Sequence, residues 1–539
     1  MTTVREATLE LLRAHGMTTI FGNPGSTELP MLADFPADFR YVLGLQELVV
    51  VGIADGYAQA TGLPAHVNLH TAPGVGNAVG GIFNAQANRS PLVITAGQQV
   101  RAQITIEANL TNRDATVGPQ PYVKYSHEPA RAQDVPTALG RAIHAASIPP
   151  RGPTFVSIPM DDWGQAADTD RALQAARRRV SGRAAPDPDA LAELGRRLAD
   201  ARSPMLVAGP EIDAAGAWEA VVELAVKQRL PVWAPPATGG SRLGFPEDHP
   251  QFAGVLPPAI GPLSQTLDGR DLVLVVGSSV FAYYPYLPGP LLPEGTSLVA
   301  VTSDPVDAAR APMGEAIVGD VGLALRALVE LVPEAVGRRV PDARPAPSPP
   351  DPPADSGGAR ITGTQAMSAL AAAWREDAIA VVETPSCTLA LRNRLRIARP
   401  GSYYFCASGG LGFGISAALG VQLAQPERPV VCVLGEGSAQ YGITALWTAV
   451  AYRLPVTFLI LRNDEYAILK WFSSLEQLSG TPGLDLPGLD VAAVARGYGM
   501  AACQVSSADE LTEVLSQEIA ADDGPRLIQV DVAPGMWIE

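Results

Sequence analysis

Residues Val430 to Tyr466 read VVCVLGEGSAQYGITALWTAVAYRLPVTFLILRNDEY, two apolar runs on either side of one helix-length segment. The continuous hydrophobicity of Val430–Leu434 predicts a strand buried on both faces. Gly435-Glu436-Gly437-Ser438 supplies a turn into a helix over Thr444–Ala451, and Pro455–Leu461 is the next strand. Glu436 and Asn463 then both stand at carboxyl-terminal strand ends, the edge at which open α/β sheets receive ligands. A hard cation such as Mg²⁺ takes few protein ligands and completes its shell with phosphate oxygens. Glu436, the Asn463 amide and a main-chain carbonyl near Glu465 are enough for a metal-bound diphosphate, and Gly435 and Gly437 let the backbone come close to the phosphates. For a lone GxG turn the plainer alternative is an ordinary strand–turn–helix.

Outward from this stretch the same rhythm recurs. The chain has 539 residues, 47% of them hydrophobic, enough for several cores and three or four domains. Two stretches interrupt the pattern: Ala166–Asp189, rich in Arg, Ala and Pro, and Val332–Gly358, whose VPDARPAPSPPDPPADSGG favours an extended connector. Three blocks of similar size remain, 1–165, 190–331 and 359–539, with 332–358 as a Pro-rich linker. In the first, Thr19–Phe21, Tyr41–Leu43, Ala65–Asn68, Leu92–Ala96 and Thr154–Ile158 read as strands. In the second these are Pro204–Ala208, Pro231–Ala234, Leu272–Val276 and Ser297–Val301. In the third, Ile379–Val382 and Leu527–Val530 join the two strands of the opening stretch. Apolar strands alternating with helices predict an α/β chain of three doubly wound parallel sheets.

Composition excludes several functions. With 39 basic against 55 acidic residues, a formal net charge of −16, and no basic stripe beyond Arg177-Arg178-Arg179, nucleic-acid binding is not expected. The run of three arginines reads as a solvated surface. Cys387, Cys406, Cys432 and Cys503 are widely spaced, without a CxxC pair, and fit reduced residues of a cytoplasmic protein. Arg5, Glu6 and Glu10 give the amino terminus a helical rather than a signal-peptide pattern, and no apolar run has the length of a membrane span. Neither GSSVF after Val276 nor GVGNAVGG at Gly74–Gly81 is a GxGxxG fingerprint, so a nicotinamide dehydrogenase is poorly supported.

Candidate chemistry in the first block lies in FGNPGSTELP (Phe21–Pro30), GLQELVVVGIADGYAQATG (Gly44–Gly62) and NLHTAPGVGNAVGGIFNA (Asn68–Ala85). Glu47 opens a helix that continues Leu48-Val49-Val50-Val51, where a carboxylate is costly to bury without a partner, although a first-turn Glu also suits the helix dipole. His70 ends a strand and precedes a Gly-rich turn, at the reactive edge. Ser26 reads by default as a helix cap before Thr27–Leu32.

These lines, with RAPMG at Arg310–Gly314 and PGSYYFCASGGLGFGISAALGVQLAQPER at Pro400–Arg428, resemble the thiamine-diphosphate-dependent superfamily of 2-oxo-acid decarboxylases and acetolactate synthases. Within it they are most similar to the benzoylformate decarboxylase branch, over nearly the full length. The resemblance implies pyrimidine-binding, middle and diphosphate-binding domains, and thiamine diphosphate with Mg²⁺ (or Ca²⁺) as cofactors. It implies that Glu47 hydrogen-bonds the cofactor's aminopyrimidine, that His70 does acid–base work and that Ser26 donates to the substrate carboxylate. Asn23, Pro24, Gly25, Thr384, Ser386, Gly409, Leu411, Gly435, Gly437, Ser438 and Tyr466 would hold the cofactor, Leu411 as the buttress of its bent shape. Glu436, Asn463 and Glu465 would hold the metal, and Phe405, Ile468, Leu469 and Phe472 would line the substrate pocket.

The sequence also departs from the family pattern. Glu436 stands for the usual Asp, and Pro385 for a Thr that often meets the diphosphate. Asp464-Glu465 adds negative charge beside the phosphates, which the metal's charge must offset. The family's second active-site His is missing from VFAYYPYLPG (Val280–Gly289), where Tyr284 takes its place. The implied reaction is decarboxylation of an aromatic 2-oxo acid, benzoylformate first, with acyloin carboligation as a possible side reaction. Small aliphatic 2-oxo acids, an aldehyde lyase or carboligase, and a weakly catalytic cofactor-binding protein are the alternatives. The resemblance further implies a homotetramer built as a dimer of dimers, with the cofactor between the first block of one chain and the third of another.

Overall fold

The computed structural model describes residues 1–236, 241–345 and 360–537. The first six-stranded sheet consists of β1 (Thr19–Gly22), β2 (Arg40–Leu43), β3 (Ala65–Leu69), β4 (Leu92–Gln98), β5 (Ser126–His127) and β6 (Thr154–Pro159), in the order β2-β1-β3-β4-β6-β5. The second is built from β7 (Pro204–Ala208), β8 (Val232–Ala234), β9 (Phe252–Val255), β10 (Leu272–Val276), β11 (Ser297–Thr302) and β12 (Glu315–Val318), in the order β12-β11-β10-β7-β8-β9. The third holds β13 (Ile379–Glu383), β14 (Tyr403–Phe405), β15 (Val430–Gly435), β16 (Val456–Arg462), β17 (Ala501–Val505) and β18 (Arg526–Asp531), in the order β14-β13-β15-β16-β18-β17. Every ladder between these strands is parallel. Parallel neighbours require crossovers, and the crossover helices cover both faces, so β3, β4, β6, β7 and β10 are buried along their whole length.

First and third sheets share one strand order, and their equivalent helices, Glu47–Thr61 and Phe413–Ala424, pack on each other. Glycine makes that approach possible. A Cβ on Gly420 would lie 1.9 Å from the Ile53 carbonyl oxygen, and one on Gly56 would lie 2.2 Å from that of Ala417. The two sheets thereby share one hydrophobic core that contains Val50, Ile53, Ala417 and Leu419.

The strand order of the middle sheet reverses between β7 and β10. Its crevice there is filled by a side chain from the first block. Arg89 pairs with Glu211 after β7 and with Asp304 and Asp307 after β11, while Thr302 and Ser303 also donate to Glu211.

Several sequence expectations change. The strands β5, β9, β12, β14 and β17 were not expected; each sits at a sheet edge, and they lack the continuous apolar run that marks central strands. The stretch Ala166–Asp189 contains a helix, Thr169–Arg177, capped by Asp168 and burying Ala172 and Ala176. Arg179 is not merely solvated, since its guanidinium donates to the carbonyls of Ala14, Ala176 and Arg178. The Gly-rich segment after His70 is helical, Thr71–Ala87, and Gly81 lets it pack closely on the helix Glu47–Thr61: a Cβ there would lie 3.0 Å from Val51 Cβ. Of the expected linker, 346–358 lies outside the described residues, while Arg338 pins the chain before it to the carbonyls of Leu198, Ala199, Ala201 and Gln228. Cys387, Cys406 and Cys432 are buried free thiols and Cys503 is half-buried. Among the described residues no helix is long and apolar enough to cross a membrane.

Candidate active site

At the carboxyl edge of the first sheet, β1 runs into Asn23-Pro24-Gly25-Ser26, β2 into the helix that starts with Glu47, and β3 into His70. Gln46 fixes that helix start by accepting from Val49 N–H. Glu47 is 7% exposed, and its oxygens accept from Asn23 Nδ2 at 3.1 Å and Asn77 Nδ2 at 3.0 Å. Both donors are neutral amides, and the carboxylate has no ion-pair partner among the described residues. Asn77 escaped the sequence reading because it lies on the segment taken for a turn.

His70 Nδ1 lies 2.8 Å from Glu28 Oε2 and 3.2 Å from Thr27 Oγ1. Gly25 makes room for the ring, since a Cβ there would fall 2.1 Å from Nδ1. Ser26 is not a helix cap. The short helix begins only at Leu29, its N-cap is Glu28, and the exposed Ser26 hydroxyl makes no hydrogen bond among the described residues. Glu28 is another residue missed, because a Glu in STELP looks like an ordinary first-turn acid.

At the corresponding edge of the third sheet the expected GEGS turn is already helical. Gly435 is its extended N-cap and Glu436 opens the helix Glu436–Gln440. Glu436, 2% exposed, accepts through Oε1 from Asn463 N–H at 3.1 Å and Asp464 N–H at 2.8 Å, tying β15 to β16. Burial pushes its carboxyl above the ordinary value against those N–H donors. Asn463 Oδ1 accepts from Glu465 N–H, and the Glu465 carboxylate is engaged by Lys470 and by Gly535 N–H, which leaves its main chain rather than its side chain toward the site. A Cβ on Gly437 would meet the Tyr466 ring at 2.7 Å, whereas one on Gly435 would meet nothing closer than Ser438 Oγ at 3.8 Å.

The extra acid, Asp464, does not depend on a metal for compensation. Arg360 lies 2.6 Å from one of its oxygens and Arg462 2.9 Å from the other. Burial pushes its carboxyl up, but the two guanidiniums outweigh that and hold it below the usual carboxylate range.

Thr384 is buried and Ser386 half-buried at the end of β13. Glu383, just before them, accepts from Gly412 N–H at 2.8 Å and Gly414 N–H at 2.6 Å. It thereby holds the loop that carries the half-buried Leu411, while Asn84 of the first block binds the Gly410 carbonyl and Gly409 lies exposed at positive φ. Burial pushes Glu383 up to about 7 in spite of those N–H donors. Sequence reading passed over it as the end of a strand.

Tyr284 is 58% exposed, and its ring meets that of Phe472 at 4.8 Å, so the middle block reaches the third at this point. Phe472 also contacts Trp471 at 5.0 Å. Ile468, Leu469 and Phe472 share the helix Ala467–Leu475, which buries only Ala467 and leaves an apolar face open. Phe405 is placed elsewhere, at the end of the edge strand β14, three strands from β16 and packed against the core shared by the middle and third sheets.

The donors fit a metal diphosphate together with a polar heteroaromatic ring. Glu436 offers a free Oε2, Asn463 a hard amide oxygen, the glycines remove side-chain bulk, and Glu47 offers an uncompensated carboxylate. Among the described residues no cluster of three or more His, Cys, Asp or Glu could hold a metal by itself.

Comparison with known proteins agrees with this donor set. Residues 2–117 match the family model for the thiamine pyrophosphate enzyme N-terminal TPP binding domain, 191–328 that for the central domain and 384–530 that for the C-terminal TPP binding domain. Benzoylformate decarboxylase of Pseudomonas aeruginosa is 53% identical over 98% of this chain and 99% of that protein. Two solved structures each superpose with a TM-score of 0.94 over 100% of both chains: the thiamine diphosphate-dependent 4-hydroxybenzoylformate decarboxylase of Rhodococcus jostii RHA1, 45% identical, and benzoylformate decarboxylase of Polynucleobacter necessarius, 39% identical. With all three of its domains matched and such a relative along its whole length, the chain belongs to the thiamine diphosphate (thiamine pyrophosphate) enzyme family.

Proposed function

We propose that this protein is a thiamine-diphosphate- and Mg²⁺-dependent decarboxylase of aromatic 2-oxo acids, converting benzoylformate to benzaldehyde and CO₂. The observation that carries the reading is Glu47, a nearly buried carboxylate that, among the described residues, is held by Asn23 and Asn77 and has no cation beside it. Such a group calls for a further hydrogen-bonding partner. Thiamine diphosphate, when bound, supplies the nucleophilic carbon and the electron sink that a 2-oxo acid needs in order to lose CO₂. Glu47 would orient the aminopyrimidine through its carboxylate. Gly435, Gly437, Ser438, Thr384, Ser386, Gly409 and Tyr466 would receive the rest of the cofactor, Leu411 would support its shape, and Glu436, Asn463 and the Glu465 main chain would hold Mg²⁺. Ser26, with its exposed and unengaged hydroxyl, binds the substrate carboxylate beside Gly25, and His70 moves the proton.

An aromatic substrate is favoured by the Tyr284–Phe472 contact and the open apolar face of Ile468 and Leu469; Phe405 would join them only from a neighbouring element or subunit. The chain divides at 1–165, 190–331 and 359–539 and assembles as a homotetramer, with the cofactor bridging the first block of one chain and the third of another. In favour of assembly, Leu29, Leu45, Phe83 and Tyr441 are exposed in the single chain. CO₂ release from benzoylformate by protein supplied with thiamine diphosphate and Mg²⁺ tests the reading, and no release from a broad panel of 2-oxo acids refutes it. Tyr284 supports a second reading, aldehyde ligation or acyloin cleavage, because a phenol is a weaker acid near neutral pH than the imidazolium it replaces. Acyloin formation without CO₂ release would select it.

A further inference from the structure

Around His70 the chain has built more than a strand end needs. The carboxylate of Glu28 is 1% exposed and surrounded by four polar neighbours. Oε2 accepts from Gly25 N–H at 2.8 Å and lies 2.8 Å from His70 Nδ1. Oε1 accepts from Gly97 N–H at 2.9 Å and from Thr27 Oγ1 at 2.7 Å. The turn after β1, the end of β3 and the end of β4 thus converge on one side chain. Two glycines permit it: a Cβ on Gly25 would fall 2.1 Å from His70 Nδ1, and one on Gly97 would fall 2.0 Å from Glu28 Oε1.

The identity of these neighbours fixes the direction of the remaining bond. Backbone N–H groups can only donate, so both carboxylate oxygens act as acceptors, and an ionised carboxylate has no proton to offer His70. Nδ1 must therefore carry hydrogen. A neutral imidazole with Nδ1–H keeps its lone pair on Nε2.

We infer that Glu28 is a positioning residue for catalysis. It holds His70 in the Nδ1–H tautomer, so that Nε2 takes and returns the proton during turnover, and through Gly25 N–H it locks the same ring against the turn that presents Ser26. The inference rests on the decarboxylase reading for the meaning of that proton transfer, but the tautomer itself does not depend on it. Glu28→Gln is nearly isosteric, yet its amide must place two hydrogens against donors on one side or the other, which frees or inverts the ring.

Two measurements test this. In the first, benzoylformate decarboxylation is followed for the cofactor-loaded parent, Glu28→Gln, His70→Ala and the double variant. Glu28→Gln is expected to lose about 10²- to 10³-fold in kcat/KM, mainly in kcat, the range of a misplaced acid–base group. The double variant should fall no more than about threefold below His70→Ala, because both changes disable one device. Losses that multiply, as for a carboxylate that only braces the strand ends, or a Glu28→Gln within about threefold of the parent, overturn the inference. In the second, ¹⁵N-histidine NMR of the parent, with His70 assigned by its loss in His70→Ala, should show hydrogen on Nδ1 and none on Nε2 once the ring is neutral. The opposite tautomer overturns the inference even if Glu28→Gln cannot be folded. An inert parent that still shows the Nδ1–H tautomer sinks the decarboxylase reading and leaves the Glu28–His70 arrangement standing.

Discussion

Replacing Glu436 with Gln separates two tasks carried by one side chain. Both backbone N–H groups that it binds, of Asn463 and Asp464, are received by Oε1, and the carbonyl oxygen of Gln can receive them in the same geometry. A buried N–H left without a partner costs about 1–3 kcal/mol. Glu436→Ala, which strands two of them, is expected to destabilise the cofactor-free protein by about 2–5 kcal/mol, and Glu436→Gln by less than about 1 kcal/mol. What Gln lacks is the anionic Oε2, which receives neither the Asn463 nor the Asp464 N–H. Replacing a charged oxygen by an amide in a hard-cation site is worth on the order of 3 kcal/mol, roughly a hundredfold in Mg²⁺ affinity. Calorimetric titration of Mg²⁺ into protein saturated with thiamine diphosphate gives the affinity, and thermal unfolding without cofactor or metal gives the stability. Gln binding Mg²⁺ as tightly as Glu, or unfolding as early as Ala, would refute this division of labour.

Other sites give further expectations. Burial raises the Glu383 carboxyl to about 7 from 4.5, so the folded chain keeps a proton there that the unfolded chain gives up. Its contribution is complete below the unfolded value and disappears as pH rises to about 7, by up to ~3 kcal/mol. The melting temperature of the parent relative to Glu383→Gln should fall over that interval, and a difference that stays flat would contradict the assignment. Gly25→Ala, whose Cβ would strike the His70 ring, should lower kcat/KM by about a hundredfold while circular dichroism stays unchanged; undiminished turnover would show that the ring is free to move. Arg89→Met strands Glu211 and Asp307 at the crevice of the middle sheet and should cost about 2–4 kcal/mol, part of the 3–5 of a fully buried pair because Thr302, Ser303 and Ser279 remain. An unshifted calorimetric melt would mean that the pairing adds nothing.

Central strands were legible in the sequence because burial on both faces leaves an uninterrupted apolar run, as in Leu272–Val276 and Val430–Leu434, and the ends of those runs located Glu436, Asn463 and His70. Edge strands such as Glu315–Val318 have no such run and were invisible. Segment 74–81 misled because glycine marks a turn by propensity, yet here glycines allow two helices to touch. The residues around Asp464 misled in a different way. Local sequence shows an added charge, but Arg360, which answers it, comes from a distant segment. Glu28, Asn77 and Glu383 have no local signature, since each acquires its meaning only from strand ends that are far apart along the chain.

Arg89 gives the middle sheet an unusual occupation. The cleft where strand order reverses is where doubly wound sheets commonly take up a small molecule, and here a guanidinium from the neighbouring sheet stands in it, facing three carboxylates. The middle third of the chain thus serves as a strut. For the first sheet to swing relative to it, an arginine would have to be drawn out past Glu211, Asp304 and Asp307, leaving charges behind. The frame that presents Glu47 and His70 is held from the rear, and adaptation to substrate is left to the lighter parts at the front, the loop of Tyr284 and the exposed helix of Phe472.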